Sequence, residues 1–305
     1  MKIKNIKTNF QNELQSVYDK DEIDSFFFMI TETLYRKKRI DFTLNPDFEI
    51  TNTTEWETII SDLKEEKPIQ YVLGEAWFYG LKFKVNENTL IPRSETEELV
   101  EWILDSLMVK GKRQKVKDIS LSEVEKEPLT QNPKPLTLLD IGTGTGCIPI
   151  SLKSNLPDTE IFAIDISEKT LEVAIQNAKN NNVEVNFIQT DILKIENLEK
   201  LSTKFDIIIS NPPYVRHLEK QEIKKNVLDY EPHLALFVED NDALIFYRKI
   251  AQLALHSLKA NGLLFFEINQ YLGKKTVELL ENLGFKNIEL RKDLKGNDRM
   301  IKCSV

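Results

Sequence analysis

The chain reads Leu138-Leu139-Asp140-Ile141-Gly142-Thr143-Gly144-Thr145-Gly146, an apolar run that ends in glycine at every second position. The run predicts a buried strand that turns sharply into a helix. Glycine tolerates positive φ and carries no Cβ, so a ligand can approach the backbone closely at such a turn. The spacing is Gly-x-Gly-x-Gly. Dinucleotide-binding folds use Gly-x-Gly-x-x-Gly, with the pyrophosphate on a helix N-terminus. Asp140 opposes a pyrophosphate and suits a positively charged ligand instead. A nicotinamide-dependent dehydrogenase is therefore disfavoured, and a plain tight turn is the alternative.

Outward from that stretch, strands are predicted at 136–141, 160–165, 185–190, 205–210 and 262–268, with a late pair near 285–290 and 300–305. Helices are predicted at 168–180, 243–258 and 273–283. Near-continuous apolar strands between helices require a sheet buried on both faces, hence a doubly wound, mostly parallel seven-stranded α/β domain. Ligands of such folds bind at the carboxyl ends of the strands. Asp165 closes the second strand, where an acid can accept both ribose hydroxyls. Asp191 lies just past the third, positioned for an adenine amino group, with Ile192 available to pack on the base. The plainer alternatives are a helix N-terminal acid before Ser167 for Asp165 and a loop cap for Asp191.

The fourth strand runs into Asn211-Pro212-Pro213-Tyr214. Each proline lacks an N–H, fixes its own φ and pushes its predecessor into an extended conformation. Asn211 and Pro212 are thus expected to present carbonyls that the local chain has few donors to pair. An Asn side-chain oxygen beside a free carbonyl makes an acceptor cluster suited to a planar NH₂ group with its two donors. Tyr214 adds an aromatic face on which a planar group can stack. The segment 215–237, which holds His217 and His233, is read as a possible lid rather than as catalytic. No cluster with metal-ligand spacing is visible.

The first 70 residues have apolar positions near a 3.6 period, at Val17, Ile23, Phe26, Phe27, Met29, Ile30, Leu34 and Tyr35, which predicts helices with a core of aromatics. Asp21 is the expected N-cap of one helix and Thr54 of the next. From Ala76 to Ile91 the pattern shifts to a short strand pair. Ser94 as N-cap with Glu97 at the third helical position reads as a capping box. Residues 109–135, rich in lysine and then in proline, read as a solvated surface insertion.

Composition limits the possible functions. A chain of 305 residues suggests about two domains. Lys and Arg total 41 against 49 Asp and Glu, a net charge of −8, which is a poor basis for gripping duplex nucleic acid. Two cysteines make no disulfide framework, so a reducing compartment, the cytoplasm, is expected. No secretory signal and no membrane span are read.

The segment Asp140–Gly146 together with Asn211–Tyr214 resembles the class I S-adenosylmethionine-dependent methyltransferases that act on planar amino groups, those of adenine in DNA or of glutamine in protein. Pro68-Ile69-Gln70-Tyr71-Val72-Leu73-Gly74, Leu90-Ile91-Pro92-Arg93-Ser94-Glu95-Thr96-Glu97, Tyr230-Glu231-Pro232 and Asn297-Asp298-Arg299 narrow the resemblance to the HemK-like (PrmC) release factor glutamine methyltransferases. The likeness covers the chain from about residue 20 onward and departs at Ser94-Glu95, often Pro-Asp in the family, and at the 109–135 insertion. It implies a helical release-factor-docking domain at 1–74, a linking hairpin at 75–92 and a methyltransferase domain at 93–305. It also implies S-adenosylmethionine as cofactor, held by Asp140, Gly142, Thr143, Gly144, Thr145, Gly146, Asp165, Asp191, Ile192 and Asn211. Substrate binding falls to Asn211, Pro212, Pro213 and Tyr214, with Asn211, Pro212 and Tyr214 catalytic. Peptide chain release factors are the implied partners, with no metal, no membrane, no direct DNA binding and a monomeric state expected. The rivals are a methyltransferase of adenine amino groups in DNA or RNA, and a non-catalytic binding module using the same pocket.

Overall fold

The structure, a computed structural model, describes residues 1–45, 47–51, 53–119, 135–198, 201 and 204–305, with side chains of 108–119 left aside. Among these residues five helices precede the first strand: α1 (Ile3–Leu14), α2 (Lys20–Tyr35), α3 (Arg39–Leu44), α4 (Thr54–Lys64) and α5 (Ile69–Leu73). The apolar period of α2 buries Ile23, Phe27 and Ile30 on one stripe. Phe10 and Phe27 meet Trp56 at ring-centroid distances of 5.5 and 5.3 Å, and Trp56 donates its indole N–H to the Tyr35 hydroxyl at 2.9 Å. The expected caps move. Asp19, not Asp21, accepts the Glu22 N–H at 2.9 Å, and Thr54 is the first helical residue of α4 rather than its cap.

The hairpin strands β1 (Glu75–Phe78) and β2 (Leu81–Lys84) follow. Helix α6 (Ser94–Ile119) starts one residue earlier than a Ser94 cap allows. Its Glu97 does not fold back into a capping box but accepts the Tyr79 N–H at 2.6 Å. The helix carries through 109–119, where a loop was expected, and residues 120–134 of the expected insertion lie outside the described residues.

Then come β3 (Thr137–Ile141), α7 (Cys147–Asn155), β4 (Glu160–Asp165), α8 (Glu168–Asn180), β5 (Asn186–Gln189) and β6 (Phe205–Ser210). Two short strands, β7 (Val215–Arg216) and β8 (Phe237–Val238), bracket α9 (Lys225–Tyr230) and α10 (His233–Leu236). The chain closes with α11 (Ile245–Ser257), β9 (Leu258–Glu267), α12 (Gly273–Leu283), β10 (Lys286–Lys292) and β11 (Asp298–Ser304).

The main sheet has seven strands in the order β10-β11-β9-β6-β3-β4-β5. The pairs β3·β4, β3·β6, β4·β5 and β6·β9 are parallel, and β11 runs antiparallel to both neighbours. Alternation along each strand feeds both faces. Leu138, Ile207, Ile209 and Phe265 pack with Leu99, Ile103 and Ile148 on one side. Leu139, Ile208, Leu264 and Phe266 pack with Tyr247, Ile250 and Leu280 on the other. This is the doubly wound α/β architecture.

The chain forms two compact units: Met1–Glu75 with Val85–Glu87 and Glu222–Glu231, and Ala76–Lys84 with Asn88–Gln221 and Pro232–Val305. The hairpin thus falls mostly to the second unit, where buried Asn177 clamps it: Lys84 N donates to Asn177 Oδ1, and Asn177 Nδ2 donates to the Lys84 and Thr145 carbonyls. The middle of the segment expected to be a lid counts with the first unit instead. There Tyr230 donates to the Glu65 carbonyl at 2.8 Å and Lys225 pairs with Glu66.

Candidate active site

The parallel strands β3, β4 and β6 deliver their last residues to one edge of the sheet. Ile141 sits opposite Ser210, and the Ser210 hydroxyl donates to the Ile141 carbonyl at 2.7 Å. That lock sets the glycine turn beside the end of β6, so that a Cβ on Gly142 would stand 3.9 Å from the Asn211 carbonyl oxygen.

Gly142, Gly144 and Gly146 have φ of +76°, +56° and +79°, a region L side chains enter only at a cost. Their reasons differ beyond that. A Cβ on Gly146 would fall 2.9 Å from Ile150 Cδ1 and 3.3 Å from Ala174 Cβ, so this glycine lets α7 and α8 pack. A Cβ on Gly144 would meet no atom within 4 Å, so the space there is open. The turn is held by β4: Gly142 N and Thr143 N both donate to the Ile164 carbonyl, and Gly144 N donates to Asp165 Oδ2 at 3.0 Å.

The other Asp165 oxygen accepts the Ser167 N–H at 3.0 Å. Burial raises the Asp165 pKa, and those backbone donors oppose the rise. The Ile166 amide bears on Asp165 as well, and a carboxylate with roughly four acceptor sites keeps capacity for a ligand. Asp140 is fully buried, and neither of its oxygens nor the Thr143 hydroxyl has a hydrogen-bond partner. Burial pushes its pKa up to about 7, opposed by the nearby Thr143 hydroxyl, which misses hydrogen-bond geometry, and reinforced by the Asp165 charge.

Asp191 and Ile192 follow the end of β5. Thr190 N donates to the Asp165 carbonyl, which brings the end of β5 alongside. Asp191, however, caps its own turn, accepting Leu193 N at 3.0 Å and pairing with Lys194. Ile192 is only 8% exposed and belongs to the core cluster with Leu139 and Ile164. The structure brings Asp140, the glycine turn, Asp165 and Asn211 together at the sheet edge, and the Thr190–Asp165 bond places Asp191 and Ile192 just past the neighbouring strand end.

At the end of β6, Asn211 Nδ2 donates to Thr96 Oγ1 at 3.3 Å, and the Thr96 hydroxyl donates to Glu267 Oε2 at 2.6 Å. Among the described residues no donor reaches Asn211 Oδ1 or the Pro212 carbonyl. Tyr214 is held at both ends, its hydroxyl donating to Glu267 Oε1 at 3.1 Å and its carbonyl accepting Asn269 Nδ2 at 2.9 Å. Burial, with Glu267 adding, lifts the Tyr214 pKa well above that of an ordinary phenol. Asn269 Nδ2 also donates to buried Glu219, whose carboxylate takes the Arg216 N–H and guanidinium. Thr96, Glu267, Asn269 and Glu219 were not in the sequence-based site. The signal for Glu267 is there in hindsight: a lone acid closing the apolar run Leu263-Leu264-Phe265-Phe266. His217 and His233 flank the Phe237 ring, stacked at 5.2 Å and edge-on at 5.3 Å. Among the described residues no three His, Cys, Asp or Glu side chains group to hold a metal, and no helix is long and apolar enough to cross a membrane.

Known proteins place the chain in a family. A release factor glutamine methyltransferase of Flavobacterium psychrophilum is 56% identical over 100% of this chain and 99% of its own length. The chain belongs to the release factor glutamine methyltransferase family. A member from Bacteroides thetaiotaomicron is 38% identical, with 98% of this chain and 99% of that protein covered. Residues 133–267 match a family model described as a methyltransferase domain, the span from the edge of β3 to Glu267. Among solved structures, the catalytic domain of hMettl16 in complex with the MAT2A 3'UTR hairpin 6 superposes with a TM-score of 0.55 at 14% identity, covering 91% of this chain and 92% of that one. That likeness speaks to the fold alone.

Proposed function

We propose that this protein transfers a methyl group from S-adenosylmethionine to the side-chain amide nitrogen of the glutamine in the Gly-Gly-Gln loop of class I peptide chain release factors. The observation that supports this most is the state of Asn211. Its NH₂ end is engaged by Thr96, while Oδ1 and the neighbouring Pro212 carbonyl are without donors. Two acceptors on consecutive residues match in number the two hydrogens of a primary carboxamide.

The residues at the sheet edge fit the methyl donor. Asp140 and Thr143 hold unpartnered buried oxygens suited to a cationic group, Gly144 has open space above its α-carbon, and Asp165 keeps acceptor capacity for hydroxyls. Thr145 and Gly146 complete the turn. Bound there, S-adenosylmethionine supplies an electrophilic methyl on a sulfonium and departs as S-adenosylhomocysteine.

An amide nitrogen is a weak nucleophile because its lone pair is delocalised into the carbonyl. In this reading Asn211 Oδ1 and the Pro212 carbonyl accept its two hydrogens, fix its orientation and favour a pyramidal nitrogen. Pro213 holds Pro212 extended, and the Tyr214 ring packs against the glutamine side chain. The proton leaves after attack, so no tuned general base is required. Alignment of this kind contributes about 7–11 kcal/mol in well-oriented systems. The helical unit docks the release factor. The protein acts as a monomer in the cytoplasm and does not bind DNA directly.

A labelled-methyl assay offering a purified release factor and duplex DNA together tests the reading. Label on the release factor is expected, and label on DNA alone contradicts it.

A further inference from the structure

Glu267 has no part in the substrate and cofactor contacts proposed above, yet it lies at the centre of the hydrogen bonds that hold the Asn211–Tyr214 segment. One oxygen takes the Thr96 hydroxyl at 2.6 Å, the other the Tyr214 hydroxyl at 3.1 Å. All three side chains come from different parts of the second unit: the start of α6, the end of β9 and the turn after β6. Glu267 is 1% exposed and Thr96 2% exposed, so water does not substitute for these bonds.

The sense of each bond follows from donor and acceptor inventory. An O–H···O length of 2.6 Å is that of a charge-assisted bond to a carboxylate. Arg299 lies close enough to stabilise the charge, and with the Thr96 and Tyr214 bonds it opposes the upward shift that burial imposes. A carboxylate only accepts, so the single Thr96 hydrogen is committed to Glu267. The Thr96 oxygen can then only accept from its other neighbour. The end of the Asn211 amide that faces it, 3.3 Å away, must be the NH₂ group, which leaves Oδ1 as the end without a partner.

Resting on the functional reading above, we propose that Glu267 acts through Thr96 as a positioning residue that fixes the orientation of the Asn211 side-chain amide, so that its oxygen rather than its NH₂ group faces the substrate carboxamide. Were the amide reversed, an NH₂ group would meet an NH₂ group and the acceptor pair would be lost. The same carboxylate anchors Tyr214, so one buried charge sets two of the groups that line the substrate.

Thr96→Val keeps the shape of the side chain and removes its hydroxyl, leaving the Asn211 amide free to reverse. Thr96→Ser keeps the hydroxyl. Glu267→Gln adds a donor that can return the Thr96 hydrogen to Asn211. The measurements are kcat and KM on a purified release factor, S-adenosylhomocysteine affinity by calorimetry and the melting temperature. Thr96→Val is expected to lose about 100-fold in kcat, the scale of a misplaced reacting group, with KM and S-adenosylhomocysteine affinity within about threefold. Thr96→Ser is expected to recover most of that loss. Glu267→Gln, if it folds, should lose no less than Thr96→Val, and the double variant should lose no more than the worse single one, because the two act as a unit. Thr96→Val with wild-type kcat, or with a loss confined to KM or melting temperature, overturns the positioning role alone. A wild-type protein that binds S-adenosylhomocysteine but leaves the release factor unmodified overturns the functional reading, and this inference with it.

Discussion

The Gly144 amide donates to the Asp165 carboxylate at 3.0 Å, so the acid proposed to meet a ribose also holds the glycine turn beside it. Both Asp165 oxygens carry a backbone N–H, and a substitution there alters two things at once. Asp165→Ala should weaken S-adenosylhomocysteine binding by about 1.5–3 kcal/mol, the worth of hydrogen bonds to a charged group. It should also lower the melting temperature, because two amides lose their acceptor. An unchanged dissociation constant by calorimetry removes Asp165 from the site even if stability falls.

Asp140 gives a pH-dependent prediction with a definite sign. Its folded pKa, about 7, lies above the ordinary carboxyl value of 3.8. Between those values the folded state holds a proton the unfolded state has lost, so stability falls as pH rises through that window and levels off above it. Asp140→Asn abolishes the effect. The stability advantage of Asp140→Asn over wild type should grow by about 2–3 kcal/mol between pH 5 and pH 8 in denaturant titrations of the ligand-free protein. The same variant should bind the cationic methyl donor more weakly. An advantage that does not change with pH contradicts the assignment.

The glycines of the turn should separate by readout. Gly146→Ala puts a methyl against Ile150 and Ala174 at 2.9 and 3.3 Å in a left-handed conformation. It should cost about 2–5 kcal/mol of stability, from overpacking of about 1–3 kcal/mol and the left-handed φ of about 1–2 kcal/mol together. Gly144→Ala meets no atom within 4 Å and should cost only about 1–2 kcal/mol from its φ, with the larger effect on donor affinity. Chemical denaturation and calorimetry on the two variants check this; the reverse ranking contradicts it.

Much of this was legible in the sequence, for physical reasons that can be named. Strands 160–165 and 205–210 and helices 168–180 and 273–283 form as read, because long apolar runs and clear 3.6 periods leave few alternatives. Strand β9 begins four residues earlier than expected, at Leu258. Asn261 adopts φ of +63° and the register jumps from Leu258 opposite Phe205 to Leu263 opposite Ile207, so a bulge lies within the strand. Helix starts shifted because a cap is decided by which side chain reaches an amide, and Asp19 and Asp21 look alike in one dimension. At the site, the glycine turn and Asn211–Tyr214 were legible because each carries its signal in consecutive residues. Thr96 and Glu267 were not, since the Asn211–Thr96 and Thr96–Glu267 bonds join residues 115 and 171 positions apart. Reading Ser94–Glu97 as a helix cap also hid Thr96 within it.

Asn211→Ala should leave S-adenosylhomocysteine affinity within a few-fold while turnover falls by about 100-fold or more, because removing a preorganised polar partner of the reacting group costs about that much. Single-turnover kinetics read the loss. A variant with wild-type turnover removes Asn211 from the role given to it.

The most direct test of the central claim is mass spectrometry of a purified class I release factor after incubation with this protein and S-adenosylmethionine, with Asn211→Ala run in parallel. A single added methyl on the Gly-Gly-Gln glutamine, present with the wild-type protein and absent with the variant, is the predicted result. An unmodified glutamine, or a methyl elsewhere on the release factor, would contradict it.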